Sequence, residues 1–448
     1  MNTPICDFVK SYAEKKPLRL HMPGHKGESF LGFEKFDITE VSGADSLYEA
    51  SGVIRESENN ASKLFGFPTY YSTEGSSQCI RAMLYLALLR AKELGKAPLI
   101  AAARNAHKTF LSAAALLDLD VMWLYGEKQE SYLSCSVSPE YLEGIFSSGK
   151  ALPCAVYLTS PDYLGNVADI KGISSVCRKH GVMLLIDNAH GAYLKFLSPS
   201  QHPIDLGADM CSASAHKTLP VLTGGAYLQL SPAFHQFVSS QVKNALSLFG
   251  STSPSYLIMQ SLDMANVYLC GYAEKLIRFL PHVEELKQEL KEHGFEIYGN
   301  EALKLSISAK AWGYTGNDLS EIIYQHNIVR EFADDDYIVF MLTPEIEFAG
   351  LCALKDALLS VPKRNKIYQN PPRFMEAKKC MSIRSAALSV SEVIPVEESM
   401  GRVLAAATVG CPPAVPILVC GEQIDAHAIE CFKYYGLDTC TVIKDEQR

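Results

Sequence analysis

An aspartate that closes an apolar run and a lysine 30 residues further on have the clearest chemical potential in this chain. Asp187 ends Val182-Met-Leu-Leu-Ile-Asp, a buried-strand pattern that breaks at once in Asn-Ala-His190-Gly191. Lys217 ends Met210-Cys-Ser-Ala-Ser-Ala-His216-Lys217, after a second short strand expected over residues 208–213. Open parallel sheets bind ligands at the carboxyl ends of their strands, because exit loops and helix amino ends converge there. A carboxylate that keeps a pyridinium nitrogen protonated and a lysine that forms a Schiff base are the parts a pyridoxal 5'-phosphate (PLP) site needs most. A salt-bridged Asp and a surface Lys would leave the same trace, so the decision rests on the elements that precede them.

Thr69-Tyr-Tyr-Ser-Thr-Glu-Gly75-Ser76-Ser77-Gln78 reads as a strand, a glycine turn, two hydroxyls and a helix running to about Gly95. Unpaired amides and the positive dipole end make such a helix start an anion cup that a phosphate fits; a plain serine-capped helix is the alternative. The strand over 98–103 ends in Arg104-Asn-Ala-His107-Lys108, whose His107 could lie flat on an aromatic cofactor ring or be an ordinary structural histidine. Strands at 121–124, 155–158 and 182–186 alternate with helices at 139–146 and 169–180. That alternation predicts an α/β fold with right-handed crossovers and a mainly parallel sheet covered by helices on both faces. Past Lys217, residues 232–248 read as helix, and Ser251-Thr-Ser253-Pro254-Ser-Tyr256 opens a long helix toward Leu280. Short strands at 303–308 and 337–342 around a helix at 318–326 then indicate a smaller α+β domain. The expected division is an N-terminal arm (1–50), a large PLP-binding α/β domain (51–275), a small α+β domain (276–365) and a C-terminal domain (366–448), with a polar, Pro-ended linker at 363–372. Three His-Lys pairs end at Lys26, Lys108 and Lys217, but only Lys217 follows both the cup and the Asp187 strand. It also has Ser214 three residues earlier, where a hydroxyl could reach the phosphate.

Charge and composition narrow the partners. Lys and Arg number 41 against 50 Asp and Glu, a net charge of −9 with no long basic run, so nucleic acid is not expected as a partner. No stretch approaches the roughly 18 apolar residues of a membrane helix, and Met-Asn-Thr-Pro-Ile-Cys-Asp lacks the layout of a signal peptide, so a cytoplasmic location is expected. Thirteen cysteines without a Cys-x-x-Cys pair read as reduced, mostly core residues. His21 and His25 flank a Pro-Gly turn without a carboxylate or cysteine at ligand spacing beside them, so no metal is expected. The Gly/Ser-rich loop 42–52 around Asp45 has the composition of a mobile active-site or interface segment.

These residues resemble the prokaryotic ornithine/lysine/arginine decarboxylases, PLP enzymes of fold type I. The matching pieces run in order over nearly the whole chain: His-Met-Pro-Gly-His-Lys at 21–26, Glu-Gly-Ser-Ser at 74–77, Arg-Asn-Ala-His-Lys at 104–108, Asp-Asn-Ala-His-Gly at 187–191, Ser-Ala-His-Lys at 214–217, Ser-Thr-Ser-Pro-Ser-Tyr at 251–256, and Pro-Pro-x-x-Pro with Gly-Glu near the C-terminus. The resemblance implies that Lys217 holds PLP as a Schiff base, His107 stacks on the ring, Asp187 pairs with the pyridinium nitrogen and His190 supports it. It places Gly75, Ser76, Ser77, Ser214 and His216 around the phosphate and the Schiff base, with Lys217 or His216 reprotonating Cα. Ser251 and Ser253 come, by resemblance, from the partner subunit of a homodimer that shares its active sites. Glu422, with Asp45 from the partner's loop, is implied as the acid that meets the distal cation of a basic amino acid. The family's longer members add an N-terminal wing domain, whereas this chain starts at the arm of the PLP domain. It departs from the family at Asn188, where Glu is frequent, at Cys411, often Tyr, and at Ala414, usually Gly; the cofactor residues are unaffected and the substrate side is not. The implied activity is decarboxylation of arginine, lysine or ornithine to a polyamine precursor. The rival readings are another fold-type-I reaction such as aminotransfer or elimination, for which Arg384 would be the late carboxylate clamp, and a PLP-binding regulatory protein without turnover.

Overall fold

The computed structural model of the 448-residue chain describes residues 1–127, 131–149, 151–372, 375–406 and 415–444. Strands β1 (Thr69–Ser72), β2 (Leu99–Ala103), β3 (Asp120–Leu124), β4 (Ala155–Thr159), β5 (Met183–Asp187), β6 (Met210–Ala213) and β7 (Ala226–Leu230) carry the α/β part of the chain. Two compact units emerge, each from discontinuous segments: one of 1–96 with 183–276, the other of 97–182 with 277–448.

In the first unit β5 runs parallel to β6, while β7 lies antiparallel to both β6 and β1. All five residues of β5 are buried, which is why Met-Leu-Leu-Ile reads as an unbroken apolar run rather than an alternating one. Each such side chain withdrawn from water contributes about 1.5–3 kcal/mol. Helices α1 (Pro4–Glu14), α2 (Val53–Phe65) and α3 (Gly75–Glu93) belong here. Helix α2 stops where Gly66 turns left-handed at φ +81°, and the Gly66 amide closes on Ser62 O. The helix expected over 232–248 is two, Pro232–Val238 and Val242–Ser247. The long helix expected toward Leu280 likewise starts at Tyr256 on a Ser255 cap and ends at Leu269, and a new one begins at Tyr272. Apolar periodicity continues across both breaks, so only the local backbone reveals them.

In the second unit β2 pairs in parallel with both β3 and β4, and helices α4 (Lys108–Leu117), α5 (Pro139–Ser147) and α6 (Ile170–Lys179) follow their strands. The α+β part is an antiparallel sheet of β8 (Ile297–Tyr298), β9 (Lys304–Ser308), β10 (Phe332–Ala333) and β11 (Tyr337–Met341) in the order β10-β11-β9-β8. A further pair, β12 (Ser391–Pro395) with β13 (Thr439–Ile443), joins it through one core in which Leu133, Val339, Leu404, Phe432 and Val442 are buried together.

The turn between β10 and β11 holds a titratable group. Asp334 accepts the amides of Asp336 and Tyr337 on one oxygen, at 2.8 and 2.7 Å, while its other oxygen is buried with no partner among the described residues. Burial first, and then the neighbouring Asp336 and Asp335, push its pKa from 3.8 up to about 7, against the opposing Tyr337 and Asp336 amide bonds. A carboxyl that binds its proton more tightly in the folded chain favours folding at acid pH, and this contribution is lost as pH rises through the folded value. Asp334→Asn should therefore unfold at a higher temperature than the wild type at pH 8, by ~1–2 kcal/mol of stability, with the gain vanishing near pH 4. Thermal melts across that range check it, and a pH-independent offset would rule Asp334 out as the source.

Candidate active site

The phosphate cup forms as its residue types require. After β1, Gly75 takes φ +69° and donates its amide to Gly224 O at 2.7 Å. Gly224 itself stands at φ +100°, where a Cβ would meet Thr73 O at 2.9 Å, so the close approach of these two turns needs glycine. Ser72 Oγ accepts the Glu74 amide and donates to Gln78, which tightens the turn from within. Glu74, the N-cap residue of α3, makes no side-chain cap bond, and the positive dipole end of this 19-residue helix points at whatever lies beyond Gly75. Ser76 receives a hydrogen bond from Ser214 Oγ at 2.9 Å, joining the cup to the turn that carries Lys217.

Lys217 lies in a single helical turn, Ala215–Thr218, directly after β6. Its Nζ is 2.9 Å from Nε2 of His190, which is 3% exposed. His216 offers Nδ1 to Gly225 O at 3.0 Å and its amide to the same carbonyl at 3.2 Å. A carbonyl only accepts, so Nδ1 carries the donated hydrogen. Asp187, 2% exposed, is the last residue of β5 and takes the Ala189 amide on Oδ1 at 3.2 Å. Asn188 is tied down by its own amide to Ser212 O and by Nδ2 to Gly191 O.

Several polar atoms of this unit are buried without a partner among the described residues: Thr73 Oγ1, Asn188 Oδ1, Ser212 Oγ and Thr218 Oγ1. Such orphans are rare in folded proteins and call for water or a ligand. Thr73 and Thr218 were not singled out from the sequence. The available signal was position alone, beside Gly75 and beside Lys217.

The remaining expected residues fall as follows. Ser251 and Ser253 are exposed on a surface loop, where the Ser251 amide reaches Glu74 at 3.2 Å and the Ser253 amide reaches Ser251 Oγ at 3.1 Å. Asp45, at φ +70°, accepts the amides of Ser46, Ser51, Gly52, Ile54 and Arg55. Burial raises its pKa, but these amides outweigh it and hold the carboxyl below its usual value. These bonds tie together residues 46–55 and the first amides of α2. His107 belongs to the second unit, where its Nδ1 accepts the Thr109 amide at 3.2 Å and caps α4. Glu422, in the same unit, is buried against Arg104 at 3.2 Å. Arg384 donates to Ala115 O and Leu116 O at the end of α4, so it is already employed as a helix cap. His25 pairs with Asp37 at 3.2 Å, a carboxylate its sequence neighbourhood does not reveal. The substitutions at Cys411 and Ala414 lie outside the described residues. The twelve cysteines within them are free thiols, and no described helix is long and apolar enough to cross a membrane.

The first unit thus fits PLP. An open helix start and paired serines suit a dianionic phosphate, a buried carboxylate suits a ring cation, a lysine stands beside a proton acceptor, and unpartnered hydroxyls await a polar group.

Comparison with known proteins agrees. The family described as Orn/Lys/Arg decarboxylase, major domain, matches residues 3–304. An uncharacterized Bacillus subtilis protein, YaaO, is 29% identical over 96% of this chain and 93% of its own. An arginine decarboxylase of Halalkalibacterium halodurans is 28% identical over 94% and 91%. Among solved structures, the Francisella novicida lysine decarboxylase LdcF superposes with a TM-score of 0.79 at 15% identity, over 99% of this chain and 81% of that one. The mainly parallel α/β architecture is therefore that of the fold-type-I enzymes, and with the family match reaching through Lys217 and the cup, the chain belongs to the Orn/Lys/Arg decarboxylase family and is a PLP-dependent decarboxylase.

Proposed function

We propose that the chain removes the α-carboxylate of a basic amino acid (arginine, lysine or ornithine) and releases the corresponding amine as a polyamine precursor. The observation that carries this reading is the meeting of Lys217, His190, Ser214 and Ser76 in one place. In this reading Lys217 would hold PLP, the start of α3 with Ser76, Ser77 and Ser214 would hold its phosphate, and Asp187 would face its ring nitrogen. When bound, PLP supplies an electron sink for the pair left as the bond from Cα to the carboxylate breaks.

The protein's own share is placement and proton traffic. His190 Nε2 takes a proton from Lys217 Nζ and leaves the amine free to react. Lys217 Nζ, or His216 Nε2 once it has itself taken up a proton, returns one to Cα, which fixes the product as an amine. The burial of Asp187 and His190 excludes water, so their charge and hydrogen bonds act undiluted.

The active form is proposed to be a cytoplasmic homodimer with shared sites. Support comes from the exposed Ser251–Ser253 loop and from an apolar arm in which Leu18, Leu20, Phe30 and Leu31 lie open, Leu20 at 84%. The test is CO₂ release from arginine, lysine and ornithine, one at a time, with PLP present and the visible spectrum recorded. Release from one of them, with the yellow absorbance of a lysine-bound cofactor, is expected. The same absorbance with no release from any would favour the PLP-binding regulatory reading.

A further inference from the structure

Arg104 is the first residue past β2, yet its side chain is 4% exposed. A guanidinium stays charged at any physiological pH, and burying it without acceptors is prohibitively costly. Three of the acceptors of Arg104 lie in one short stretch near the C-terminus. Nη1 donates to Pro416 O at 2.9 Å, and Nη2 donates to Ile417 O at 3.0 Å and to Glu422 Oε2 at 3.2 Å. The guanidinium also lies 5.2 Å from the centre of the Trp123 ring. Glu422, itself 4% exposed, takes the Val419 amide on the same oxygen at 2.8 Å, and its backbone bonds Val419 O and the Leu404 amide. Main chain and side chain together therefore hold residues 416–422 as a closed turn against the end of β2.

We propose that Arg104 and Glu422 form a buried positioning pair that fixes residues 416–422 to the strand end three residues before His107, and that Glu422 is not the acceptor of the substrate's distal cation. Glu422 Oε2 already accepts from both Arg104 and the Val419 amide, so a substrate ammonium or guanidinium drawn to that oxygen would compete with the two of them and weaken a buried ion pair, which is costly. Replacing both partners by apolar side chains removes the charge without stranding either one, so the two substitutions should not add. The effect of this pair on turnover rests on the decarboxylase reading above, whereas the anchoring does not.

The experiment compares E422Q, R104M and the double variant R104M/E422L, each with PLP bound. Hydrogen–deuterium exchange is followed in residues 415–424, and kcat and KM are measured on the preferred amino acid. Positioning predicts the same phenotype for both single variants. Exchange in 415–424 rises at least tenfold, kcat falls with KM within about threefold of wild type, and the double variant returns exchange most of the way. A cation-binding role predicts instead that E422Q raises KM by tenfold or more with 415–424 still protected, while R104M leaves KM alone; that result overturns the proposal. If R104M does not fold, the double variant decides, because failure to restore protection there also overturns it. If no form of the protein releases CO₂, the exchange measurement alone answers the anchoring question, and only the decarboxylase reading has failed.

Discussion

Lys217→Ala is expected to remove turnover by on the order of 10³-fold or more and to leave no cofactor that borohydride can fix to the protein. The reason lies in the neighbourhood as much as in the amine. A contact of 2.9 Å between Lys217 Nζ and His190 Nε2 needs one donor and one acceptor, and an ammonium facing an imidazolium has no acceptor at all. The two groups therefore do not both point a proton into that contact, and in the proposed reading a neutral His190 accepts at Nε2 the proton that Lys217 gives up. The other lysines of the His-Lys pairs lack this setting. Lys26 is hydrogen-bonded to His21 O, and Lys108 sits exposed on the first turn of α4. Mass spectrometry of the borohydride-reduced wild type should find the adduct on Lys217 and on neither of them. An adduct that persists in the alanine variant, at Lys26 or Lys108, would move the site.

What could be read from the sequence was what is local or periodic. β5 was legible because a strand buried on both faces spells an unbroken apolar run, and Asp187 was legible because it ends that run. The cup was legible because glycine and paired serines at a helix start have few other uses in that order. The contacts that give other residues their tasks were not legible, because they join distant positions. Arg104 and Glu422 lie 318 residues apart, and nothing in Arg-Asn-Ala-His-Lys says that its arginine pairs with a carboxylate near the C-terminus. Asp45 sits among Gly and Ser and so reads as part of a loose loop, whereas its carboxylate gathers five backbone amides of that loop and the helix start after it. The helix breaks at 239–241 and 270–271 were hidden because a helix can end in mid-pattern when its neighbour resumes the same apolar face. His190 reads as a companion of Asp187 three residues on, yet its Nε2 is directed to the lysine.

Asp187→Asn separates binding from chemistry. A carboxylate 2% exposed has lost most of its hydration and recovers that cost from hydrogen bonds, such as the Ala189 amide, and from a positive partner. In the proposed site that partner is the protonated ring nitrogen of PLP, and the carboxylate keeps the proton there. An amide occupies the same volume and can still accept a hydrogen bond, but it carries no charge, so the nitrogen loses its proton and the ring its pull on the electrons released at Cα. Lys217, Ser76 and Ser214 are untouched by the change, so the variant should still bind PLP and show a lysine-bound absorbance. Its kcat should fall by roughly 10²–10⁴-fold, the span typical of a lost proton-holding group, with KM changed little. Asn188 cannot supply the missing charge, and its Nδ2 is already held by Gly191 O. Steady-state CO₂ release with the spectrum recorded in the same cuvette distinguishes the outcomes. Wild-type kcat would make Asp187 a structural strand end, loss of the cofactor would make it a binding residue, and retained cofactor with lost kcat is what its burial and its place at the end of β5 predict.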